Sequence, residues 1–206
     1  MSEQYKYLAL GDSYTIGEQV LGTENFPNQT VQLLRKNLNL NIADPEIIAT
    51  TGWTTDELEK AIDQAEPKTD YDLVSLLIGV NNQYRKLDME VYKKEFAHLL
   101  SRAILFAGGR AHRVFVLSIP DWGVTPFAAD KQPESIAQEI RAYNALNRAI
   151  SLAYKCHYID ITPESRILGK NPENLSPDLL HYAASVYQSW AEQLAPMMGA
   201  SLQSGH

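Results

Sequence analysis

Five short apolar runs recur along the chain, each separated from the next by a stretch long enough to form a helix. They fall at residues 5–10, 45–50, 71–78, 112–119 and 158–161. The most continuous, Tyr-Asp-Leu-Val-Ser-Leu-Leu-Ile at 71–78, suits a central strand buried on both faces. Between the runs, helix is expected from about residue 27, over 54–65, over 88–107, for about twenty residues after 133, and from about 183. Thr54 and Glu57 stand in capping-box register, and Gly108-Gly109 closes the third of these helices. Residues 14–25, 120–133 and 162–177 read as irregular. Strands alternating with helices require a parallel sheet with right-handed crossovers. The expected architecture is therefore a three-layer α/β/α sandwich with a five-stranded parallel sheet of flavodoxin-like order, one domain over residues 1–206.

Composition narrows the function classes. The 206 residues are 45% hydrophobic and 21% charged, with a net charge of −7. An acidic chain has no basic face with which to displace counterions from a phosphate backbone, so nucleic acid is not an expected partner. Cys156 is the sole cysteine; it excludes an intramolecular disulfide and reads as a small buried hydrophobe. No run approaches the roughly 18 apolar residues of a membrane span. No basic segment followed by an apolar one opens the chain, so a cytoplasmic location is the expectation. Oligomeric state has no signature here.

The first three strands end in glycine and polar residues: Gly11-Asp12-Ser13, Thr51-Gly52-Trp53, and Gly79-Val80-Asn81-Asn82. In a parallel sheet these endings share one edge, where ligands of open α/β sheets bind. Ser13 is the candidate nucleophile. The Ser13 and Gly52 amides and the Asn81 side chain are candidate donors to an oxyanion. Asp12 is expected to bond the backbone of its own turn, as Asx side chains do. Trp53, beside Gly52, and Trp122, in the 120–133 loop, are candidates for lining an acyl pocket, each with core packing as the rival reading.

A base must come from one of five histidines. His98 lies mid-helix, His112 opens a strand, His157 sits on the fifth strand and His206 ends the chain, and each reads as structural or solvated. His181 differs, because Asp178 precedes it by three residues. Ser176 can cap a short turn with Pro177 in first position, and residues i and i+3 of such a turn face one target. A carboxylate on one ring nitrogen fixes the tautomer and frees the other nitrogen to take a serine proton.

In this order, the pieces resemble the SGNH (GDSL-type) hydrolase family. Gly11-Asp12-Ser13 matches its first block, Gly52 its second, Gly79-Val80-Asn81-Asn82 its third and Asp178-Leu179-Leu180-His181 its last. The resemblance implies Ser13 as nucleophile, His181 as base, Asp178 as its orienter, and Ser13, Gly52 and Asn81 as oxyanion donors. The chain departs from the family in three places. Asn82 replaces the usual aspartate of the third block and is expected to brace its turn. Tyr14 replaces the leucine of the first block, and Tyr182 replaces a frequent proline after the histidine.

The expected function is a serine esterase working through an acyl-enzyme, with neither metal nor organic cofactor. A small soluble acyl ester or a lysophospholipid is the expected substrate, with thioesters and acetylated sugars as alternatives. A rival of a different class is a non-catalytic phosphate- or nucleotide-binding module. It is opposed by the absence of G-x-x-x-x-G-K-[ST] and G-x-G-x-x-G and by the aspartate in the first loop.

Overall fold

A computed structural model of the protein describes residues 4–203. Strands β1 (Tyr7–Gly11), β2 (Glu46–Ala49), β3 (Leu73–Leu77), β4 (Val114–Leu117) and β5 (His157–Ile159) form one parallel sheet in the order β2-β1-β3-β4-β5. Every residue of β1 and β3 is buried, as continuous apolar runs covered on both faces must be. The polar exceptions pair with one another: the Tyr7 hydroxyl meets Ser75 Oγ at 2.7 Å, and burial pushes that phenol far above its ordinary range.

Helices α2 (Phe26–Leu38) and α8 (Ala184–Gln203) pack together on one face of the sheet. On the other, α5 (Met89–Phe106) packs against α3 (Thr55–Ala65) and α6 (Pro133–Ala153). This is the expected three-layer, flavodoxin-like arrangement. The chain moves outward from β1 to β2 and then back past β1 to β3, so the strand order reverses between β1 and β3. Ligands of such sheets bind at that switch point. Tyr187, Trp190 and Leu194 of α8 are fully buried, and the stripe they form is core.

Three local expectations are corrected. Residues 14–25 are not simply a loop: α1 (Ser13–Ile16) makes one helical turn, and a 3-10 turn covers Gly22–Glu24. Likewise α7 (Thr162–Leu168) occupies the start of the stretch expected to be irregular. Pro163 sits in its first turn, where a proline loses no hydrogen bond, but seven residues are too few for an apolar period to show. Ser176 opens a short turn, but its side chain does not cap it. Its hydroxyl donates to the Tyr182 carbonyl at 3.0 Å, its own carbonyl takes the Leu179 amide at 2.9 Å, and Leu179 adopts φ +58°, which no right-handed turn continues.

Among the described residues no helix is long and apolar enough to cross a membrane, and no three metal-ligating side chains cluster. Cys156 is buried, and burial pushes its thiol up to about 12.

Candidate active site

Asp12 caps α1, its Oδ1 accepting the Tyr14 amide at 3.1 Å. Its other oxygen is buried and has no partner among the described residues. Loss of hydration pushes this carboxyl up to about 7, against the Tyr14 hydrogen bond, which pulls it down. Ser13 opens the helix, so its amide is one of those with no intrahelical acceptor.

His181 Nε2 lies 2.9 Å from Ser13 Oγ, and His181 Nδ1 lies 2.6 Å from Asp178 Oδ2. A carboxylate only accepts, so the proton of the neutral imidazole sits on Nδ1, leaving Nε2 free to accept the serine hydroxyl. Asp178 Oδ1 is occupied in turn by the amides of Leu180 at 3.0 Å and His181 at 2.9 Å. Partial burial raises the Asp178 carboxyl. The imidazole and the two amides outweigh that effect and hold it below the usual carboxylate range. The loop is pinned at its base, where the Ser176 amide donates to the His181 carbonyl at 2.8 Å. Tyr14 and Tyr182, both off the family pattern, form its floor: the Tyr14 ring lies 5.6 Å from the His181 ring, 6.0 Å from Tyr182 and 6.2 Å from Trp190.

The other two strand ends close the arrangement. Gly79 caps α4 (Val80–Tyr84) with φ +123°, and a Cβ there would lie 2.4 Å from the Tyr92 hydroxyl; only glycine fits. Two residues on, Asn81 Nδ2 donates to the Trp53 carbonyl at 2.9 Å. Gly52 reaches φ +86° in the turn after β2, a conformation glycine adopts without steric penalty. Asn82 faces away and links α4 to α3: its Oδ1 accepts the Thr55 amide at 3.1 Å and its Nδ2 donates to Thr55 Oγ1 at 2.7 Å.

Ser13, Gly52, Asn81 and His181 line a cavity of about 200 Å³ whose remaining wall is mostly apolar, built from Val80, Tyr84, Trp122, Phe127 and Leu180. Trp122 is buried, with its indole N–H on Gln83 Oε1 at 2.8 Å, edge-on to Tyr84 at 5.4 Å and to Phe127 at 6.2 Å. Trp53, a candidate for the acyl pocket with core packing as its rival, is not among the lining residues. It is half-buried against the core and lends the site only its backbone carbonyl.

Tyr84, Phe127 and Leu180 carry no periodic signal in the sequence, because loops and short turns bring them to the cavity. The other histidines stand elsewhere. His98 is exposed beside Glu59, His157 stacks on Phe115, and His112 lies in a 3-10 turn before β4 instead of opening the strand. His206 lies outside the described residues.

Comparison with known proteins agrees with this fold. A lipase from a goat rumen metagenome superposes with a TM-score of 0.76 at 20% identity, covering 94% of this chain and 97% of that one. The structure named TesA gives 0.73 at 16%, covering 95% and 99%. An acetylxylan esterase from Geobacillus stearothermophilus gives 0.68 at 19%, covering 97% of each. A search of curated protein sequences returns no match. The model of the GDSL-like lipase/acylhydrolase family matches residues 9–189. The chain belongs to the GDSL-like lipase/acylhydrolase family and is a carboxylic ester hydrolase.

Proposed function

We propose that the protein hydrolyses short acyl esters through a covalent acyl-enzyme on Ser13. The observation that carries this reading is the unbroken chain from Asp178 through His181 to Ser13, with bonds of 2.6 and 2.9 Å. His181 Nε2 takes the Ser13 proton as Oγ attacks the acyl carbon. The resulting oxyanion is held by the amides of Ser13 and Gly52 and by the second N–H of Asn81, the first being spent on Trp53. Preorganised donors of this kind each lower the barrier by about 3 kcal/mol. Collapse expels the alcohol with the proton from His181, which then activates water to release the acid. Asp178 stays ionised and holds the ring.

The cavity supports a short acyl group. About 200 Å³ falls below the roughly 300–1,000 Å³ of sites that engulf drug-sized ligands, so a lysophospholipid chain would run out across the exposed Tyr84, Phe127 and Leu179. A phosphate-binding reading finds no support, since no cationic side chain is among the lining residues.

The test is hydrolysis of p-nitrophenyl acetate, butyrate and octanoate, with labelling by a fluorophosphonate. Wild-type protein should prefer acetate and butyrate and take the label on Ser13, and Ser13→Ala should lose both while remaining folded. Turnover retained in Ser13→Ala would rule the mechanism out.

A further inference from the structure

Residues 51–54, the turn between β2 and α3, are held one by one by four different side chains. Glu18 accepts from the Thr51 hydroxyl. Arg85 donates through Nη2 to the Gly52 carbonyl at 2.5 Å. Asn81 donates to the Trp53 carbonyl at 2.9 Å, and Glu57 accepts the Thr54 amide at 2.9 Å. Arg85 also reaches Glu57 through Nη1 at 3.1 Å, so its planar fork joins the second and fourth of these anchor points.

We propose that Arg85 is a positioning residue of the oxyanion site, setting the aim of both the Gly52 amide and the Asn81 side chain. The proposal rests on the ester-hydrolase reading above. Gly52 is the most easily rotated residue of the turn, with no Cβ and a left-handed φ of +86°. Its amide would face the oxyanion while its carbonyl, on the other side of the same Cα, is the atom Arg85 holds. Rotation there swings the Trp53 peptide as well, and the Trp53 carbonyl is what orients the Asn81 amide.

Arg85 follows Asn81 by four residues at the end of α4, which places both on one side of that helix. One short helix therefore presents donors to two consecutive carbonyls of the turn. A lysine in place of Arg85 could reach the Gly52 carbonyl or Glu57 but lacks the fork that serves both. The Arg85 side chain is 44% exposed and is not among the residues lining the cavity, so its effect passes through the turn and not through substrate contact.

The experiment compares wild type, Arg85→Lys and Arg85→Ala for p-nitrophenyl acetate turnover, inhibition by an alkyl boronic acid that forms a tetrahedral adduct on Ser13, and thermal midpoint. Arg85→Ala should lower kcat by about tenfold to a hundredfold, the range for a misaimed oxyanion donor. KM should stay within about twofold, and boronate affinity should fall in step with kcat/KM. Arg85→Lys should recover part of the loss. Unchanged kcat in Arg85→Ala, a rise in KM alone, or a loss that follows the thermal midpoint with no recovery in Arg85→Lys would each overturn the proposal while leaving the esterase reading intact. Wild-type protein inert to both ester and boronate would overturn the esterase reading and the role of Arg85 with it.

Discussion

Ser13 Oγ and His181 Nε2 stand 2.9 Å apart across 168 residues of chain. Neither residue tolerates much displacement, because each is fixed by its own backbone. Ser13 is the first residue of a turn capped by Asp12, and His181 is the last residue of a loop whose amides wrap Asp178. The contact depends on the strand order that sets β1 at the switch point and on α8, whose Trp190 supports Tyr14 beneath the imidazole.

Asp178→Asn keeps the shape of the loop but lets the amide NH₂ face His181 Nδ1, which favours the tautomer with its proton on Nε2. That tautomer cannot accept from Ser13. A fall of about 10³–10⁴ in kcat is expected, by analogy with the same change in a serine protease triad, with KM little changed. Steady-state kinetics with p-nitrophenyl acetate check this, and a fall of less than tenfold would show that Asp178 does not orient the base.

Asp12 carries a stability signature of its own. Its folded-state carboxyl is raised by burial to about 7, so its favourable contribution is complete below the unfolded value near 4 and is lost as pH rises toward 7. The amide of Asp12→Asn can still cap Tyr14 yet never ionises. Relative to wild type, the variant should gain stability between pH 4 and pH 7.5, by up to about 4 kcal/mol if the whole shift is expressed. Urea unfolding at three pH values measures the difference, and parallel curves for the two proteins would contradict it.

Asn82 sits where the family has aspartate, and the surrounding hydrogen bonds suit the amide. Asn82 Nδ2 donates to Thr55 Oγ1, which in turn donates to Glu95 Oε2 at 2.5 Å. An aspartate can only accept, so Asn82→Asp would compete with Glu95 for one hydroxyl proton and bring a second carboxylate into a part-buried site. We expect a loss of about 1–3 kcal/mol, with Glu95→Gln recovering most of it in the double variant. Thermal or urea unfolding of the four proteins tests the coupling, and additive effects would refute it.

How much of this was legible in the chain varies from element to element. The alternation of apolar runs with helix-length stretches made the parallel sheet and its layers readable, because a strand buried on both faces has no polar side to show. The endings at Ser13, Gly52 and Asn81 were readable for the same reason, since each run stops abruptly where the backbone must leave the sheet. Asp178 and His181 are three residues apart, and that spacing survived even though a left-handed Leu179 makes the segment a tight loop instead of a helical turn.

What surrounds those residues was not readable. Helix α7 is too short for a period, and Tyr84, Phe127 and Leu180 meet at the cavity from three separate segments with no common pattern. Trp53 and Trp122 looked alike as indoles near the site, yet the turn of Gly52 directs one toward the core while Gln83 pulls the other to the cavity wall. By sequence alone, the proposed reacting groups follow from local turn chemistry together with the family resemblance of the motifs, and the sheet edge where they gather follows from hydrophobic patterning. Which side chains wall the cavity, and the hold of Arg85 on the Gly52 turn, were decided only by the tertiary structure, because such contacts depend on distances between segments that no local pattern encodes.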